Sequence, residues 1–467
     1  MGRNRTPQYL DNIQIIDAGA KGKSIAKTND GQVILVSYGV PGDTVELLLT
    51  KKRRHFREGI ITKVYNPSKD RILPKCEHFG TCGGCKWQQM DYQKQLFYKQ
   101  KEVATNLKRI GKVEPPSRPI IGSEAPFHYR NKMEFSFSNN RWLSKQELMS
   151  KVQITQRNAL GFHVSGMWDK VLDIENCHLH TSLSNDILKA VKTFTLEHKM
   201  SFFDYKNKCG LLRNLMIRTN TKDQAMVLIQ FHDDDKEKRE KLLTHLQDRF
   251  PNIHSLLYAI NRKNNDSIYD LDIEVFAGKD FILEYLNGYK FKINAKSFFQ
   301  TNTKQAGVLY KTIADFASLS GEETLYDLYS GTGSIAISLA KQGKKIIGIE
   351  TVKEAVTNAR ENADINNIDN VSFLLGDVKN MLSQSLVETS PPDIIITDPP
   401  REGIHKDVVK RCLEILPKKI VYVSCNAATQ ARDIQLLLGA YSLEKSQAVD
   451  MFPHTHHIEN IALLSKK

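Results

Sequence analysis

From Ala295 onward the chain alternates short apolar runs with amphipathic stretches. Thr324 to Leu328, Lys345 to Glu350, Val371 to Leu375, Asp393 to Thr397 and Lys419 to Val423 read as strands, and the first leads into a helical pattern from Ile335 to Lys341. Strands separated by helical patterns predict a doubly wound, Rossmann-like parallel sheet, because a parallel pair needs a crossover long enough to hold a helix. The N-terminal pattern is different. Gln32 to Ser37, Thr44 to Leu49 and Gly59 to Val64 are short β-like runs broken by the turn signals Asp30-Gly31 and Pro41-Gly42-Asp43, which predicts a small β-barrel. Between the two lie a helical stretch near Tyr92 to Ile110 and strands such as Lys132 to Ser138, Val171 to Ile174 and Ala225 to Phe231, the mixture of an α+β domain. The expected fold class is therefore α/β multidomain: a barrel over 1–65, a central α+β domain over 66–294 and a Rossmann-like domain over 295–467.

No apolar run approaches a membrane span, and Met1 to Leu10 lacks the apolar stretch of a secretory signal, so a cytoplasmic protein with no membrane partner, acting as a single chain, is expected. Met1, Gly2 and Thr6 fit the loose N-myristoylation pattern, but one acyl chain gives only marginal membrane binding. A net charge of +13 favours a polyanionic partner such as nucleic acid. Lys51-Lys52-Arg53-Arg54-His55-Phe56-Arg57 packs five cations and an aromatic ring between two barrel strands; it is either a phosphate-contacting loop or a solvated hairpin.

Candidate chemistry begins where the first strand of the parallel sheet ends, at Asp327-Leu328-Tyr329-Ser330-Gly331-Thr332-Gly333. Ligands of open α/β sheets bind beyond the carboxyl ends of the strands, where glycines let the backbone approach closely. The second strand ends at Glu350, whose carboxylate can accept hydrogen bonds from both ribose hydroxyls. Ala336 takes the third glycine position of the dinucleotide fingerprint, which speaks only weakly against NAD. Asp398-Pro399-Pro400-Arg401 follows the fourth strand and faces the crevice, and acid-Pro-Pro loops are typical of nucleic-acid methyltransferases. Asp377, after the third strand, can accept from an adenine amino group or simply cap a helix.

The fifth strand runs into Ser424-Cys425-Asn426 and presents Cys425 at the same sheet edge. A free cysteine is more often a buried small hydrophobe than a nucleophile, but this position beside Asp398 reverses that expectation. A thiolate can add to carbon 6 of uracil and make carbon 5 nucleophilic towards a sulfonium methyl; the proton at carbon 5 must then be removed by a base. Glu459, after Phe452-Pro453-His454-Thr455-His456-His457, is the candidate base. The histidines lack the spacing of a zinc site and are expected to orient the glutamate or contact RNA.

Ser297-Phe298-Phe299-Gln300-Thr301-Asn302, the Asp-Leu-Tyr-x-Gly-Thr-Gly loop, Asp-Pro-Pro-Arg, Ser-Cys-Asn and His-x-Glu together resemble the RNA uracil-5-methyltransferase family, over essentially the whole chain. The resemblance implies S-adenosylmethionine as cofactor, contacted by Gln300, Tyr329, Glu350 and Asp398, with Cys425 as nucleophile and Glu459 as base. It also implies that the barrel is a TRAM-like RNA-binding module. Two departures stand out: Ser330 where a cysteine is common, and Ala427 where a proline usually follows Cys-Asn. The second puts the rigidity of the nucleophile's loop, and so the rate, in doubt.

Cys76, Cys82 and Cys85 concentrate three thiols in ten residues, and Cys177 can supply a fourth from afar. Four thiolates suit zinc or an iron-sulfur cluster, and a Cys82/Cys85 redox pair is a third reading. The family resemblance implies a four-iron four-sulfur cluster that holds an RNA-binding surface together. Methylation of an exocyclic base nitrogen is the chief enzymatic alternative, opposed by Arg401 and Cys425. A non-catalytic iron-sulfur RNA-binding protein is the other. The barrel and cluster together resemble the branch acting on 23S ribosomal RNA, related enzymes act on transfer RNA, and Arg130 and Lys132 are weak candidates for contacting either.

Overall fold

The computed structural model describes residues 7–116, 118–150 and 152–467; the myristoylation pattern at Met1, Gly2 and Thr6 lies outside them. Strands Gln8–Ala18, Lys23–Lys27, Val33–Ser37, Thr44–Lys52 and Arg57–Asn66 close a barrel. Alternate residues Ile34 and Val36, with Ile13, Ile15, Ala26, Val45 and Leu47, fill its interior, as the period-2 geometry of a strand requires. The Pro-Gly-Asp turn fastens the barrel to the first residues of the central domain. Buried Asp43 accepts from the backbone N–H groups of Val40 at 2.7 Å and Ser68 at 2.9 Å, and pairs with Arg71 at 2.6 Å. The basic run forms the exposed tip of the hairpin Thr44–Lys52/Arg57–Asn66.

The central sheet runs, in spatial order, Glu274–Gly278, Ile253–Ile260, Ala225–Phe231, Leu212–Thr219, Lys132–Ser138, Ala159–His163 and Val171–Asp173. Its middle strands are buried at every position because both faces are covered. Leu215, Ile217, Val227 and Ile229 point into a core shared with helices Ser182–Glu197 and Lys236–Arg249, whereas Met216, Met226 and Leu228 join the core of the C-terminal domain.

The C-terminal sheet has the order Val371–Leu375, Lys345–Glu350, Thr324–Leu328, Ile394–Thr397, Lys419–Ser424, Glu459–Lys466 and Tyr441–Val449. The first five strands are parallel, and Glu459–Lys466 returns antiparallel between the last two neighbours. The topological switch point lies between Thr324–Leu328 and Ile394–Thr397. Two elements of the middle segment belong physically to this domain. Helix Tyr92–Arg109 buries Val103 and Leu107 with the sheet's Tyr326, Ile395 and Tyr422, and the hairpin Phe281–Leu286/Tyr289–Asn294 shares the core on the opposite face. Among the described residues, no helix is long and apolar enough to cross a membrane.

Candidate active site

A cleft of about 1380 Å³ runs from the carboxyl ends of the parallel strands to the cysteine-bearing segment. Gln300, Tyr329, Glu350, Asp398, Cys425 and Glu459 all line it, and so do Cys76, Cys82, Cys85 and Cys177. Residues spread over most of the chain thus converge on one space.

The glycine loop is shaped by positive φ at Tyr329 (65°), Gly331 (54°) and Gly333 (78°). A Cβ at Gly333 would lie 2.5 Å from the Phe373 ring, so no other residue fits there, while one at Gly331 would meet nothing within 4 Å. The loop therefore packs tightly on one side and leaves its backbone accessible on the other. Tyr329 bears the left-handed conformation without a glycine's freedom, a strain typical of ligand-clamping positions. Glu350 is locked by four donors: the N–H of Gly331 at 2.9 Å on one oxygen, and the N–H groups of Thr351 and Val352 with the Thr351 hydroxyl on the other. Oε2 carries only the Gly331 bond, so it keeps acceptor capacity on a residue that lines the cleft.

Asp377 behaves differently. Its carboxylate caps the helix Val378–Met381, accepting from the Lys379 N–H at 2.9 Å, and it is not among the cleft-lining residues. It does lie near enough to Tyr329 to raise the pKa of that phenol. Gln300 is held through Asn131, whose side-chain amide donates to the Gln300 carbonyl at 3.0 Å and to the Thr303 hydroxyl at 2.9 Å, while its backbone N–H donates to the Thr301 carbonyl. Of the two cations flanking Asn131, Arg130 lines the cleft, whereas Lys132 is paired with Glu134 at 2.7 Å outside it.

The nucleophile and base candidates meet through strand register. Ser424 pairs with Asn460 as the last rung of the antiparallel ladder, and Cys425 and Glu459, the next residues along the two segments, both line the cleft. Asn460 is fixed by Gln430 at 2.7 Å and Ser446 at 3.1 Å, which holds this end of the ladder. Asn426 caps the helix Ala427–Leu437 through the N–H groups of Ala428 and Thr429, and its amide donates to the Arg401 carbonyl at 2.9 Å. This joins the Ser-Cys-Asn and Asp-Pro-Pro-Arg loops. Ala427 occupies the first helical position, where a proline would be pre-organised; Asn426 retains the cap without it.

Burial pushes the Asp398 carboxyl up to about 7 and raises Glu459 well above the usual carboxylate range; the charge of Asp398 adds to the latter and the Arg401 guanidinium opposes it. Burial and then the negative charges of Glu459 and Asp398 push the Cys425 thiol up to about 11, with Arg401 pulling it down. His457 lines the cleft, and burial pushes His454, His456 and His457 down to about 4, so they are neutral at physiological pH. His454 is a structural hub: its N–H donates to Gln95, and its carbonyl accepts from the N–H groups of Lys86 and Trp87. Lys296, Phe298 and Thr455 also line the cleft and were not singled out from the sequence as contacts; their nearness to Gln300 and Glu459 was the available signal.

At the far wall, Cys76, Cys82, Cys85 and Cys177 are free thiols. Burial raises all four, to about 12 for Cys85 and about 11 for Cys177, and neighbouring cysteines raise Cys82, Cys85 and Cys177 further. Gln88 braces the group, accepting from the Cys76 N–H at 3.1 Å and donating to the Cys85 sulfur at 3.1 Å. Among the described residues no three His, Cys, Asp or Glu side chains close on a single metal ion.

A parallel sheet with a glycine loop, an acid ending the second strand and an acid-Pro-Pro loop across the switch point defines an S-adenosylmethionine-dependent methyltransferase. The comparisons agree. The chain matches the tRNA (uracil-5-)-methyltransferase family over residues 91–467. It is 50% identical over 450 residues to a Bacteroides thetaiotaomicron protein described as an RNA methyltransferase, covering 95% of this chain and 99% of that one, and 46% identical to a Porphyromonas gingivalis counterpart, covering 97% and 99%. The crystal structure of Pyrococcus abyssi tRNA (uracil-54, C5)-methyltransferase in complex with S-adenosyl-L-homocysteine superposes with a TM-score of 0.75 at 30% identity, covering 97% of this chain and 100% of that one. The chain belongs to the tRNA (uracil-5-)-methyltransferase family and is an S-adenosylmethionine-dependent RNA methyltransferase.

Proposed function

We propose that the protein methylates carbon 5 of a specific uridine in RNA through a covalent adduct between Cys425 and carbon 6. The observation that carries this reading is that Cys425 and Glu459, each next to the Ser424/Asn460 pair, line one cleft at the cofactor end of the sheet, close enough for the Glu459 charge to act on the thiol. S-adenosylmethionine supplies the methyl group on a sulfonium, and with it a positive charge. Gln300, Tyr329, Glu350 and Asp398 hold it, with Glu350 on the ribose; the capping role of Asp377 leaves that residue a lesser share. Cys425 gives its proton to solvent as its sulfur adds to carbon 6, and carbon 5, made electron-rich, takes the methyl group while the sulfonium sulfur leaves as a neutral thioether. Glu459 then removes the proton from carbon 5 and the thiolate leaves. A carboxylate held above its ordinary range is the more effective base near neutral pH. The resting thiol is protonated because burial, and after it the charges of Glu459 and Asp398, raise it; Arg401, and a bound sulfonium, favour its ionisation.

Cys76, Cys82, Cys85 and Cys177 line one wall of the cleft as part-buried thiols, and although among the described residues no three close on a single ion, an iron-sulfur cluster, which bonds each thiolate to a different iron, would supply the cationic centre they need to ionise. Its role here is structural, since uracil methylation involves no net electron transfer. The barrel, with its exposed basic hairpin, supplies salt-dependent RNA affinity. The pairing of barrel and cysteine segment favours 23S ribosomal RNA as substrate; the similarity to the Pyrococcus abyssi enzyme favours transfer RNA as the second reading. Mapping 5-methyluridine in total RNA from a strain lacking the gene tests both. A site lost from 23S ribosomal RNA supports the first, one lost from transfer RNA supports the second, and an unchanged map contradicts the proposal.

A further inference from the structure

We propose that the hairpin Ala159–His163/Val171–Asp173 carries a stacking platform, Trp168, for an unpaired RNA base next to the target uridine. This rests on RNA as the substrate and on the cleft as its site. The hairpin is anchored: Gly161, Phe162 and His163 pair with Asp173, Leu172 and Val171, and Phe162 and His163 of the first strand, with Ser165 of the turn, line the cleft. Its tip is a tight turn, closed by the Met167 N–H on the Val164 carbonyl at 2.8 Å and the Val164 N–H on the Lys170 carbonyl at 3.1 Å, with Gly166 at φ +82°. The backbone is therefore ordered, yet Trp168 is 64% exposed and Met167 42%. By contrast Trp87 is 1% exposed. An indole held on a pinned turn, three residues from the cleft-lining Ser165, loses little conformational freedom when a base stacks on it.

Charge at the tip points to the same occupant. Its one acid, Asp169, is engaged by Asn140 at 3.1 Å and Lys206 at 3.3 Å. Ser165 sits beside Gly83 of the cysteine segment, where an added Cβ would lie 3.8 Å from the Ser165 Cβ and 3.7 Å from the Lys86 ammonium. Lys86 has no acidic partner among the described residues, and its ammonium lies 5.9 Å from the Tyr38 ring of the barrel. Lys86 thus reaches the neighbourhood of Ser165, in the turn that carries the indole, and a cation and an exposed indole on neighbouring segments are the groups that a single-stranded nucleotide engages, phosphate on one and base on the other.

The test is a fluorescence titration of the full-length protein with an oligouridylate of about ten nucleotides, within the range bound by single-strand modules. The expected result is quenching that is absent in Trp168→Ala, an affinity lowered about tenfold in that variant and restored to within about threefold by Trp168→Phe. S-adenosylmethionine affinity should stay unchanged in both variants, which excludes misfolding. Wild-type affinity and quenching in Trp168→Ala would overturn the proposal, as would an equal loss of affinity for fully paired RNA, which offers no base face. Failure of the wild-type protein to bind ribosomal or transfer RNA would overturn the underlying RNA reading, and the platform with it.

Discussion

Asp327 lies inside the first strand of the parallel sheet, where one oxygen accepts from the Ala336 N–H at 3.1 Å and the other has no partner. Burial pushes its carboxyl up to about 8 from the ordinary 3.8. Between those values the folded protein keeps a proton that the unfolded chain releases. Stability from this group is therefore full below about pH 4 and is lost as pH rises through about 8. Asp327→Asn keeps the shape and removes the titration, so the midpoint temperature of the cofactor-free variant should fall less steeply between about pH 5 and 8. An unchanged slope would assign the pH dependence to Asp398 and Glu459, which are raised in the same direction. At this scale the cleft-lining positions Tyr329, Glu350, Asp398 and Cys425 were legible from the sequence because each closes or follows a recognisable strand, and Glu459 because it opens one. Asn131, Asn426 and Gln95 were not, because a clamp acts through the backbone of a distant segment and leaves no local pattern. Asp377 satisfied two patterns at once, and only the structure shows the cap.

Among the elements, the parallel strands were easy to read because both faces are buried and the apolar run is nearly continuous. Strand Gln8–Ala18, mostly exposed, and the edge strand Tyr441–Val449, polar over its first half, carry no such run and were missed. Helix Tyr92–Arg109 was found, but its partner was not, since an amphipathic stripe does not say which core it faces. That helix also carries a consequential ion pair. Lys99 and Asp450, both fully buried, meet at 2.6 Å; Tyr92 donates to Asp450 at 3.0 Å, and Lys99 also donates to the Phe452 carbonyl. This pins the connection that leads to Glu459. Lys99→Met leaves a buried charge unpaired and should cost roughly 3–5 kcal/mol in chemical denaturation, much of it regained when Asp450→Leu is added. A Lys99→Met protein as stable as the wild type would show that the pair is not structurally important.

At the scale of the whole molecule, one cleft gathers Gln300, Tyr329, Glu350, Asp398, Cys425, Glu459 and four thiols from the middle and C-terminal segments. The doubly wound domain and the grouping of Cys177 with the other three cysteines were foreseen; that the cysteine segment shares one cleft with the cofactor crevice was not, because sequence spacing says nothing about which distant loops share a wall. Cys177 is brought to Cys76, Cys82 and Cys85 by a backbone that Asn185 clamps at 2.9 Å. Anaerobically purified protein should carry iron and broad visible absorbance, and Cys177→Ser should lose both. Zinc without iron, or unchanged iron in the variant, would contradict the cluster assignment.

The central claim is the division of labour between Cys425 and Glu459, because the two act at opposite ends of one covalent intermediate. Incubation of the Glu459→Gln variant with S-adenosylmethionine and substrate RNA, followed by a denaturing gel, tests it most directly. Attack and methyl transfer remain possible in that variant, but the carbon 5 proton has no acceptor, so an RNA-linked protein band should accumulate and should vanish when Cys425→Ala is added. Full turnover by Glu459→Gln, or an RNA-linked band that persists without Cys425, would contradict the account.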